Sequence, residues 1–97
     1  MCYEDVQKIY EYASKKYPKP EPSLISREFE LQCYRIQTYE AVIKLCMDYS
    51  RKDPKDVLEE YAMYLESCVS YFSKNFKRSE DYIVKLEVVT DLLTILK

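Results

Sequence analysis

Apolar residues recur every three to four positions along nearly the whole chain, the spacing of one face of a helix. The first such run covers about Tyr3 to Tyr17 and places Val6, Ile9, Tyr10, Ala13 and Tyr17 on one side. Glu4 and Asp5 stand in its first turn and Lys15 and Lys16 in its last, the order that a helix dipole favours. Pro18, Pro20 and Pro22 then impose an extended connector, because a proline ring cannot continue the helical hydrogen-bond ladder. A second helix is predicted from Ser23 or Ser26 to Tyr49 or Ser50. Its stripe is Phe29, Cys33, Ile36, Tyr39, Ile43, Cys46 and Met47, and Arg51 and Lys52 close it.

The sharpest start signal is Asp53-Pro54, with Asp56 following. Asp is a strong helix cap, and proline suits a first turn that needs no amide donor. The third helix is predicted to run to about Phe76, with Val57, Leu58, Tyr61, Ala62, Leu65, Cys68, Val69, Phe72 and Phe76 inward. On this reading Lys74, Lys77 and Arg78 lie at its end. Ser79 caps a fourth helix, with Glu80 and Asp81 in the first turn and a core stripe of Tyr82, Leu86, Val89, Leu93 and Leu96. The expected fold is an all-α, up-down-up-down antiparallel bundle of about four helices, one domain over residues 1–97.

Composition sharpens this picture mainly by what is missing. The 97 residues include no Gly, so hairpin turns that need positive φ are disfavoured and helices are favoured. They include no His, which removes the usual general base and the commonest metal ligand. Phosphate-cradling glycine loops are excluded as well. No carboxylate pair or reactive thiol stands in a catalytic spacing, so the protein is expected not to be an enzyme and to carry no catalytic residue, cofactor or metal. The net charge of −2 disfavours bulk attraction to nucleic acid or to an anionic membrane. No apolar run reaches the length of a membrane span, and no signal peptide is visible at the start. Cys2, Cys33, Cys46 and Cys68 form no CxxC pair. An intracellular, cytoplasmic protein with reduced cysteines is expected, and Cys33, Cys46 and Cys68 read as small core residues.

Three features bear on function. The fourth helix carries a second apolar arc, Val84, Val88, Leu92 and Ile95, beside its core stripe. Together they span about 200°, wider than the stripe of an ordinary surface helix. That arc is expected to be an interface for a homodimer or another protein partner. Next, an antiparallel bundle gathers Lys15, Lys16, Lys19, Lys74, Lys77 and Arg78 at one end, among Tyr17, Phe76 and Tyr82. These are candidate phosphate or nucleic-acid contacts. Dipole complementarity also explains cations at helix C-termini without any ligand. Finally, among 11 tyrosines, Tyr3, Tyr10 and Tyr17, and again Tyr64 and Tyr71, are spaced seven apart. Such rows suit core edges or protein-binding faces.

The expected function is therefore non-enzymatic protein–protein interaction, by self-association or with a partner. The alternative is a nucleic-acid-binding or regulatory module that uses the basic end. Scarce Asn and Gln with abundant ions lean toward a thermophile. A short chain without catalytic groups suits a viral or mobile-element accessory protein.

Overall fold

The computed structural model describes residues 2–20, 26–48 and 52–96, the side chains of residues 2, 3 and 26 excepted. Four helices follow one another: α1 (Cys2–Lys16), α2 (Ser26–Asp48), α3 (Pro54–Tyr71) and α4 (Phe76–Ile95). Among the described residues there is no strand, and no helix is long and apolar enough to cross a membrane. Ser23 as a cap, Tyr49 or Ser50 as an end and the closing Arg51 lie outside the described residues.

The start of α3 follows the sequence signal. Asp53 takes extended backbone angles and its carboxylate accepts the Lys55 amide at 3.0 Å, while Pro54 opens the helix. The junction with α4 departs from expectation. α3 ends at Tyr71, and the amides of Phe72, Ser73 and Asn75 fold back onto Cys68, Ser70 and Phe72 carbonyls. No described residue has a positive φ, so this reversal requires no glycine.

Asn75, rather than Ser79, caps α4. Its backbone is extended and its Oδ1 accepts the Arg78 amide at 3.2 Å. Ser79 is already inside the helix, its amide donating to the Asn75 carbonyl at 2.9 Å. Asn and Ser cap about equally well, so the two acids after Ser79 misdirected the expectation. Phe76, expected at the inner end of α3, instead opens α4 and is 87% exposed.

The core is contributed by every helix. Ile9 and Ala13 come from α1, Val42 and Cys46 from α2, Leu58 and Leu65 from α3, and Val88, Val89 and Leu92 from α4. Burying each large aliphatic side chain contributes about 1.5–3 kcal/mol. On α2 the inward face lies partly on residues outside the expected stripe. Val42 and Thr38 are buried, whereas Phe29 and Met47 are exposed. Buried Thr38 satisfies its hydroxyl by donating to the Tyr34 carbonyl at 2.6 Å. Tyr10, expected inward on α1, is exposed.

Helix directions alternate, but the neighbour relations are not those of a square bundle. α1 runs antiparallel over the C-terminal half of α2: Tyr17 stacks on Tyr39, and Tyr10 shares a groove with Ile43 and Met47. α2 and α4 lie side by side and parallel, with Arg27 level with Glu80 and Tyr34 level with Lys85. α4 packs most extensively on α3, then on α2, and also meets α1. Consecutive α2 and α3 touch far less.

The cap assignment gives a direct test. Asn75→Ala is expected to cost about 0.5–2 kcal/mol in urea unfolding, and Ser79→Ala much less. The reverse order would return the start of α4 to Ser79.

Candidate functional site

The expected interface on α4 is inside the molecule. Leu92 is fully buried, Val88 is 1% exposed, Val84 is buried and Ile95 packs against the core from its edge. The wide apolar arc is real, but three helices cover it rather than one or two. It is therefore not an outer face, and a dimer through these four residues would require the fold to open.

The expected basic end also fails to assemble. α1 ends beside the middle of α2, so Lys16 reaches the late part of α4 and pairs with Asp91 at 2.6 Å. Arg78 lies on the first turn of α4, about 20 Å from Asp91 along the axis at about 1.5 Å per residue. Lys15, Lys16 and Lys19 thus belong to one region, and Lys74, Lys77 and Arg78 to another. Lys19 borders the groove between α1 and α2, an apolar hollow of about 650 Å³ lined by Tyr10, Tyr17, Ile36, Tyr39, Ile43 and Met47 among others.

Asp91 is the staple between α1 and α4, a role its place on a polar helix face did not reveal. Its Oδ2 accepts from Tyr12 Oη at 2.9 Å, Tyr17 Oη at 2.9 Å and Lys16 Nζ at 2.6 Å. Burial pushes its pKa up, but the hydrogen bonds from Lys16, Tyr12 and Tyr17 outweigh burial and hold it below the usual carboxylate value. Burial first, then the bond to Asp91, pushes the Tyr17 phenol up to about 12. The same carboxylate raises Lys16.

At the start of α4 the charges sort themselves differently. Arg27 of α2 collects the acids: its Nη1 donates to Glu30 at 2.9 Å, its Nε to Glu80 at 2.9 Å, and its Nη2 lies 2.9 Å from the buried Oδ1 of Asp81. That last contact is an ion pair without hydrogen-bond alignment. Among the described residues no carboxylate pairs with Lys77, Arg78 or Lys85. Instead Arg78 sits 5.3 Å over the Phe72 ring, and Lys85 sits 5.2 Å over Tyr34 and 5.3 Å over Tyr82. Phe72 and Tyr82 stack at 5.5 Å. Tyr34, Lys77, Arg78, Asp81, Tyr82 and Lys85 border a hollow of about 410 Å³. Lys77 and Arg78 occupy the first turn of a helix, where the dipole repels cations. Dipole complementarity therefore does not account for them. Lys85 belongs to this cluster and was not among the expected cations.

Several of the most exposed large side chains lie elsewhere, on α3 and at the start of α4, with Met47 of α2 a further one. Phe76 is 87% exposed, Tyr71 82%, Met63 67% and Tyr64 60%. Met63, Glu66, Ser67, Ser70 and Tyr71 border a shallow hollow of about 630 Å³. The seven-residue spacing of Tyr64 and Tyr71 was the sequence signal for this face.

Among the described residues no group of His, Cys, Asp and Glu is placed to hold a metal ion. Cys33, Cys46 and Cys68 are free thiols. Cys46 is a core residue; Cys33 and Cys68 are half-buried, at the core's edge. The side chain of Cys2 lies outside the described residues. Comparison with protein-family models, with curated proteins and with solved structures finds no match.

The Asp91 staple makes stability depend on pH in a defined sense. A carboxylate held below its unfolded value of about 3.9 stabilises the fold above that pH and loses its contribution as pH falls through the lower folded value. A phenol raised above its unfolded value of about 10 stabilises the fold below that pH and loses its contribution as pH rises toward 12. Asp91→Asn is expected to flatten the acid limb of Tm against pH and to shorten, without abolishing, the alkaline limb. Thermal melts followed by circular dichroism check this; an unchanged acid limb would remove Asp91 as the staple.

Proposed function

We propose that this chain is a non-enzymatic interaction protein that works by binding protein, a second copy included, through the outward side of α3 and the turn after it. The observation that carries the reading is the exposure of Met63 and Tyr71, which border one shallow hollow on the outward side of α3. Tyr and Met are enriched where proteins meet. The absence of His from the sequence supports the non-enzymatic part. Free thiols support an intracellular, cytoplasmic setting, and the compositional expectation of a viral or mobile-element accessory protein belongs to the same proposal.

A second reading, binding of nucleic acid or another phosphate-bearing ligand, is favoured by one observation. Lys77 and Arg78 stand where the helix dipole opposes them, and Lys85 joins them above two tyrosine rings. It predicts retention on RNA or DNA at low salt that Lys77→Glu with Arg78→Glu abolishes. No retention at low salt removes it.

The leading reading is tested with Met63→Ser combined with Tyr71→Ser. Both side chains are exposed, so the melting free energy is expected to move by less than about 1 kcal/mol. Association, by concentration-dependent light scattering or by capture of a partner from the source, is expected to weaken about tenfold or more. A folded double variant that associates as the parent does would overturn the α3 surface. Val88→Asp or Leu92→Asp does not serve here, because a charge at either buried position unfolds the protein.

A further inference from the structure

We infer that the small hollow between the end of α1 and the first half of α2 is a phosphate-binding site, in which Arg35 and Lys16 supply the charge and Gln32 an amide donor. It shares no residue with the surfaces of the two readings above and rests on neither.

The hollow measures about 90 Å³ and is bordered by Lys16, Tyr17, Pro18, Gln32 and Arg35. That is far below the room a drug-sized ligand needs, and it suits one small anionic group. No acid borders it. Arg35 offers five N–H donors in a planar fork and Gln32 offers two. Lys16 gives one proton to Asp91 at 2.6 Å and one to Tyr12 at 3.1 Å, which leaves a third. The Tyr17 hydroxyl is committed to Asp91 at 2.9 Å.

Arg35 is the member that the fold itself does not account for. It is half-buried and stands in the middle of α2, away from either end of the helix dipole. The residues three and four positions from it are Leu31, Gln32, Thr38 and Tyr39, so no acid meets it along the helix. Among the described residues no carboxylate pairs with it. An arginine taken partly out of water without an anion is costly, and a bound anion offsets that cost. Lys16 has a reason of its own in Asp91, and that carboxylate also raises its pKa and keeps it a cation. Asp91 largely matches the Lys16 charge, so the hollow offers roughly the single charge of Arg35. Binding is accordingly expected in the millimolar range.

The donor geometry selects the anion. Three side chains on two helices converge on one small space. A tetrahedral phosphate can engage all three. A carboxylate fills the Arg35 fork with its two oxygens and leaves the others unused. Tyr17 and Pro18 also border the larger apolar groove between α1 and α2. An organic group carried on the phosphate therefore finds an apolar surface beside the site.

The experiment is a titration of the folded chain, followed by NMR of the Arg35 and Gln32 side-chain N–H groups and of the backbone amides. Inorganic phosphate, phenyl phosphate and acetate are each taken into the tens of millimolar at ionic strength matched with chloride. Saturable shifts centred on Arg35, Gln32 and Lys16 are expected with phosphate. Arg35→Gln is expected to weaken binding about tenfold or more, and Arg35→Lys to restore only part of it, because lysine keeps the charge and lacks the fork. Melts in chloride alone should match the parent for both variants, which separates loss of the ligand from loss of the fold. Phenyl phosphate binding more tightly than inorganic phosphate, with the same dependence on Arg35, supports the site and makes a monoester its ligand; equal binding supports it and makes free phosphate sufficient. Acetate binding as tightly as phosphate overturns the selection of phosphate. Shifts that do not saturate, that chloride reproduces, or that centre on Lys77, Arg78 and Lys85 and spare Arg35 overturn the site.

Discussion

The structure depends on the burial of α4 from three sides. Val84, Val88, Val89 and Leu92, with the half-buried Leu86 and Leu93, cannot all meet one neighbouring helix. They spread around more than half of the helix circumference. Their burial requires α3 on one flank, α2 on another and α1 closing the remainder. The rest of the architecture follows. α2 and α4 run parallel because helix direction alternates along the chain, and the breadth of the α4 apolar arc makes them neighbours. α1 is drawn down along α2 until Tyr12, Lys16 and Tyr17 reach Asp91.

The same constraint redistributes the surface. With α4 largely used up by the core, the large apolar side chains left to the solvent lie mainly on the outer side of α3 and along the α1–α2 groove. With α1 lowered, the cations at its end meet an acid of α4 and no longer join those at the α3–α4 turn. The cations that remain there are the ones whose placement a helix dipole does not explain. Arg78 among them rests on the Phe72 ring, and Lys85 nearby on Tyr34 and Tyr82, each contact being worth about 0.5–1 kcal/mol at an exposed site.

Much of this was legible in the sequence, for physical reasons that can be named. The helical period of the apolar positions establishes four helices, and Asp53-Pro54 marks the start of α3 because few other environments use that pair so well. The breadth of the α4 arc was visible too. Its meaning was not, because periodicity counts apolar positions and does not say how many neighbours cover them. The one-turn error at the start of α4 has a similar origin: Asn75 and Ser79 are equivalent caps until tertiary packing chooses between them. That error mattered, since it moved Lys77 and Arg78 from the favourable end of one helix to the unfavourable end of the next. Asp91 was illegible because its three donors come from residues more than seventy positions away. The α3 surface was half legible: the spacing of Tyr64 and Tyr71 announced a row, and only the packing of Leu58 and Leu65 shows that the row faces outward.

α4 is interior, and the outward side of α3 is the surface we propose for contact. Oxidative footprinting across a dilution series measures both at once. Val88 and Leu92 are predicted to stay unlabelled at every concentration. Met63, Tyr71 and Phe76 are predicted to label readily in dilute solution, with Met63 and Tyr71 losing label as the protein is concentrated. Labelling of Val88 or Leu92 that emerges on dilution, with Met63 and Tyr71 unchanged throughout, would contradict the account and return the interface to α4.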